Sequence, residues 1–76
     1  LGRGAEAKRD YLRAVERYRD DADLWDLLGE LYEREEDRTR ALECYREVVR
    51  IDPSDDVAAA KVRELAPPPG GREPKK

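Results

Sequence analysis

Apolar side chains recur along this chain at intervals of three and four. Leu24, Trp25, Leu28, Leu31 and Tyr32 form one such stripe, and Ala41, Leu42, Tyr45, Val48, Val49 and Ile51 form the next. Spacing of this kind puts the apolar groups on one side of an α-helix. A shorter stripe, Val57, Ala58, Val62 and Leu65, follows, and Ala7, Tyr11, Ala14, Val15 and Tyr18 mark a helix ahead of them all, opened by Gly2 and Gly4. Asp21, Asp37 and Asp55 stand just before three of these stripes. A carboxylate there accepts hydrogen bonds from the free N–H groups of the first turn and lies at the positive end of the helix dipole. Pro53 stops the second stripe and the Pro67–Pro69 triplet stops the third, because proline lacks the N–H a helix needs. No segment alternates with period two. The pattern predicts an all-α chain of four helices joined by turns of about three to six residues.

The stripes repeat. A shift of 34 residues pairs Ala7 with Ala41, Tyr11 with Tyr45, Ala14 with Val48, Val15 with Val49 and Asp21 with Asp55. The same shift pairs Leu24 with Ala58, Leu28 with Val62 and Leu31 with Leu65. Chemistry is kept at inward positions and lost elsewhere, which marks a repeated packing unit.

Residues 22–55 closely resemble one tetratricopeptide repeat. Trp25, Leu28, Gly29, Tyr32, Ala41, Tyr45, Val48 and Pro53 stand at that family's signature spacings, with Tyr45 where Phe or Tyr is usual and Val48 where Ala is usual. The resemblance implies an antiparallel helix–turn–helix, with Gly29 and Ala41 small where the two helices approach. Residues 1–21 are similar to the second helix of a preceding repeat. Residues 56–66 are similar to a first helix, but Ala59 replaces the aromatic and Arg63 the small residue, as expected of a helix that closes an array. The resemblance thus implies an α-solenoid fragment with a C-terminal capping helix, its array running N-terminally.

Composition narrows the function. The chain has 76 residues, no His, no Met and a single Cys, so an internal disulfide and the common zinc patterns are excluded. Absent too are a Gly-rich phosphate loop and a nucleophile beside a base, so no enzyme activity and no cofactor are expected. Cys44, with no His or second Cys near it, reads as an inert, partly buried thiol. The net charge of −3 argues against nucleic acid, and no apolar run is long enough for direct membrane insertion. Residues 67–76 carry four of the five prolines with Gly70, Gly71, Lys75 and Lys76, and read as a disordered tail. A chain that starts at Leu1 and contains no Met reads as processed, or as a piece of a longer one. One Cys fits the cytoplasm without excluding other compartments.

Acidic residues supply the candidate site. Asp20–Asp21–Asp23 and Asp52–Asp55–Asp56 lack the spaced ligands and central Gly of a calcium loop, and capping and solvation account for them. Asp23, Asp26, Glu30 and Glu33 lie three, four and three residues apart, on a face of the Trp25 helix distinct from its apolar stripe. In proteins resembling this one, the first helix of a repeat lines the partner groove. Four carboxylates there imply a groove for basic segments and disfavour the clamping of a peptide C-terminal carboxylate; Arg34, Arg38 and Arg40 offer partial neutralisation. The expected role is a non-catalytic protein–protein interaction module, scaffold or adaptor. The alternative is a small structural accessory subunit docked permanently in a larger complex. Expected partners are another protein, further repeats, or a second copy of the chain.

Overall fold

The computed structural model describes residues 3–66, with side chains from Ala5 onward; the proposed tail, residues 67–76, lies outside the described residues. Four helices follow in order: α1 Arg3–Arg17, α2 Ala22–Arg34, α3 Arg38–Ile51 and α4 Asp56–Leu65. Among the described residues there is no strand. Gly4, expected at the opening of the first helix, lies within it.

The aspartates cap as their positions predict. Asp21 accepts from the N–H groups of Asp23 and Leu24, Asp37 from that of Arg40 and Asp55 from that of Ala58. Arg40 also donates to the Asp37 side chain at 2.8 Å, which holds that carboxyl below its ordinary range. The α2–α3 turn is tight. Asp37 N–H donates to the Tyr32 carbonyl at 2.9 Å and Glu36 N–H to that of Glu33 at 2.9 Å. These are the two bonds of a Schellman motif, and they require a left-handed residue at the position of Glu36, whose φ is 62°. Glycine suits that conformation; here glutamate carries the steric cost.

Each helix packs on the next, so α2 lies between α1 and α3, and α3 between α2 and α4. Val15, Leu28, Tyr32, Ala41, Cys44 and Tyr45 form the buried cluster, with Tyr11, Leu24, Trp25, Val62 and Leu65 packed around it. Gly29 is what lets α2 and α3 approach: a Cβ built there would sit 2.9 Å from Tyr45 Cζ and 3.1 Å from both Cε atoms. Polar ties fix the helix ends. Trp25 Nε1–H donates to the Arg19 carbonyl at 2.9 Å, which keeps the indole nitrogen satisfied while its ring packs inward. Lys8 meets Glu35 at 2.6 Å and lies 5.1 Å from the centre of the Tyr32 ring, tying α1 to the end of α2.

Two stripe positions are corrected. Tyr18 is 55% exposed because α1 ends one residue before it, and Val57 is 70% exposed in the first turn of α4. Cys44 is more deeply placed than a partly buried thiol, and its burial pushes the thiol pKa up to about 12. Little thiolate forms at neutral pH, as an inert thiol requires.

Candidate functional site: the acidic face of the second helix

The four carboxylates of α2 occupy three settings. Asp23 is exposed in the first turn and lines an open cleft with Tyr18, Asp21, Ile51 and Asp52. Asp26 is half-buried. Its carboxyl is held above the usual range, first by burial and then by the charges of Glu30, Asp55 and Asp23, against a smaller opposing pull from Lys61. Glu30 is exposed and lines a second open cleft with Glu33, Arg34 and Lys61. Asp23, Asp26 and Glu30 therefore share one field, but Asp23 does not share the Glu30 cleft.

Glu33 is engaged inside the molecule. Tyr45 Oη donates to its carboxylate at 3.0 Å, and Lys61 Nζ approaches the same group at 3.2 Å from α4. The side chains of Lys61 and Glu33 are 35% and 28% exposed, a half-shielded pair worth a few tenths to ~1 kcal/mol. The same ammonium lies 6.0 Å from the centre of the Tyr45 ring. This network joins α2, α3 and α4, and it pushes the Tyr45 hydroxyl pKa upward through burial and the bond to Glu33.

By contrast, Asp23, Asp26 and Glu30 have no ion-pair partner within 4.0 Å among the described residues. The arginines expected to neutralise them are placed differently. Arg40 pairs with Asp37, and Arg38 donates to the Glu64 carbonyl at the end of α4. Arg34 alone of the three lines the Glu30 cleft.

Asp55 and Lys61 are the residues that sequence reasoning left out of this face. Both belong to α4 or its cap, 22 or more residues from the stripe, and helical periodicity carries no signal for which distant helix turns toward it. The 34-residue offset was the available clue, because it makes α4 a second copy of α2 laid beside it.

The chemistry open to this arrangement is the binding of positive charge. Among the described residues no group of three His, Cys, Asp or Glu side chains is arranged to hold a metal ion. No helix there is long and apolar enough to cross a membrane. The clefts are open to solvent, unlike the dry pocket that paired-carboxylate catalysis needs.

No curated protein and no solved structure gives a significant match to the chain. The family model of the tetratricopeptide repeat matches residues 22–55, which comprise α2, α3 and the turns that flank α3. The close approach at Gly29, the packing of Trp25, Leu28 and Tyr32, and the all-helical architecture agree with that match. Residues 22–55 of this chain are therefore similar to a tetratricopeptide repeat in both sequence and helix packing.

Proposed function

We propose that this chain is a non-catalytic protein–protein interaction module at the C-terminal end of a tetratricopeptide array, whose acidic face over α2 and α4 takes partner segments rich in Lys or Arg. The observation that carries the proposal is the set of unpaired carboxylates, Asp23, Asp26 and Glu30, with Asp26 held above its usual range by burial and by like charge. An incoming cation relieves that repulsion. Lys61 supports the reading from within, since its ammonium already rests on this face against Glu33.

The roles follow from the settings. Asp26 and Glu30 contact the cation, Asp23 extends the field toward the α1–α2 turn, and Glu33 stays fixed by Tyr45. Binding favours the charged form of Asp26, so affinity falls as pH drops through the raised Asp26 value. A permanently docked accessory subunit would instead need a dry, apolar contact over this face, and the face is lined by carboxylates.

The test is fluorescence anisotropy with a labelled Lys/Arg-rich peptide and its Glu-substituted counterpart. Asp26→Lys, alone and with Glu30→Lys, should weaken the basic peptide by roughly three- to tenfold and flatten its salt dependence. Unchanged affinity, or equal binding of the acidic peptide, refutes the proposal.

A further inference from the structure

On the other flank of α2 lies an apolar groove lined by Ala7, Tyr11, Leu27, Glu30, Leu31 and Arg34. The chain's own repeat shows what such a surface normally meets. On α3, Ala41, Tyr45 and Val48 are 0–1% exposed beneath α2. Their counterparts 34 residues earlier on α1, namely Ala7, Tyr11 and Ala14, are only half-buried. Likewise Lys61 reaches back from α4 to α2, and its counterpart Leu27 is 40% exposed. Among the described residues, the same packing surface is covered once within the molecule and left uncovered here.

Two features restrict the occupant. The first is α4. A head-to-tail stack would lay α4 of one copy on α1 of the next, as α2 lies on α3. Arg63 then falls where Gly29 stands, a place where even a Cβ comes within 2.9 Å of the aromatic ring. Head-to-tail growth is blocked. The second feature is charge. Glu30 and Arg34 are one turn apart on α2 and both line the groove, yet neither makes an ion pair within 4.0 Å among the described residues. A surface carrying one such unpaired acid and one unpaired base is complementary to itself. Antiparallel α2 helices related by a twofold axis near Leu31 can pair Glu30 of each copy with Arg34 of the other, over the apolar contact of Tyr11, Leu27 and Leu31.

We propose that this groove is the interface with a second copy of the chain, forming a closed twofold dimer. The groove shares Glu30 and Arg34 with the cleft of the basic-segment reading, whereas Asp26 lines neither, so Asp26→Lys tests that reading separately from the dimer. A contact built on so few apolar groups belongs to the small, weak class.

Sedimentation equilibrium of the full chain, from about 10 μM to about 1 mM at low salt, tests it across the range of such contacts. The average mass should rise from 8.8 kDa toward twice that value. Leu27→Glu should abolish the rise while leaving the helical circular dichroism unchanged. Glu30→Arg alone and Arg34→Glu alone should each stay monomeric, because each sets like charges across the axis. An equimolar mixture of these two variants should dimerise, since both cross-axis pairs are then opposite in sign. A wild-type chain that stays monomeric to the highest concentration overturns the proposal and leaves the groove to a foreign helix. A dimer that survives Leu27→Glu, or single charge variants that associate as well as wild type, overturns it too.

Discussion

Replacing Gly29 by alanine sets two magnitudes of opposite sign against each other. In a helix interior alanine is favoured over glycine by about 1 kcal/mol, so propensity alone predicts a more stable chain. Packing predicts the reverse. The added Cβ would lie 2.9–3.1 Å from three atoms of the Tyr45 ring. That ring cannot swing aside cheaply, because Tyr45 is 1% exposed and its hydroxyl is held by Glu33 at 3.0 Å. Overpacking of a filled core costs about 1–3 kcal/mol, and weakening a hydrogen bond to a carboxylate adds to it. The expected net effect is a loss of about 1–2 kcal/mol, which in a chain of this size lowers Tm by roughly 5–15 °C. Thermal circular dichroism at one fixed protein concentration reads this directly, and the concentration must be held because association shifts Tm. In a Tyr45→Phe background the ring loses its anchor at Glu33, so the same glycine change should cost less. If Gly29→Ala stabilises the protein, the claim that α2 and α3 meet through this residue fails.

Two further changes test local features. Glu36→Gly should stabilise the chain by about 0.5–1 kcal/mol in denaturant unfolding, because glycine takes the left-handed Schellman position without steric cost; a loss of stability would show that the Glu36 side chain contributes more than its backbone costs. Asp26→Asn should raise stability at neutral pH by a few tenths of a kcal/mol to ~1 kcal/mol. The sign follows from the raised value of Asp26: the folded state holds its proton more tightly than the unfolded chain, so stability is greatest below the ordinary value of 3.8 and is lost as pH rises through the raised value. The gain from the asparagine should therefore vanish in acid, and a gain independent of pH would point to another cause.

Periodicity and caps made most of the fold legible. The stripes around Leu28 and Tyr45, the three capping aspartates and the 34-residue offset each depend on local spacing or self-similarity, both of which a sequence displays. Tyr18 and Val57 escaped because they lie where a helix begins or ends, and apolar spacing does not say where the last inward residue falls. The acidic face was legible as a stripe but not as a field. That Glu33 is occupied by Tyr45 and Lys61, while Asp26 is crowded by Asp55, depends on how α4 lies against α2. Local pattern does not encode that relation. The exposed Leu27 beside Tyr11 was equally silent, since an apolar residue off the main stripe gains meaning only once its neighbours in space are known.

The central claim is that positive charge binds over α2 and α4, and amide chemical-shift mapping of the full chain during titration with a Lys/Arg-rich peptide tests it most directly. Saturable shifts should appear at Asp23, Asp26 and Glu30 and across Asp55–Lys61, and they should fade at about 1 M salt, where screening is nearly complete within a few ångströms. Shifts confined to the Ala7–Ala14 side of α1, or none at all, would contradict it.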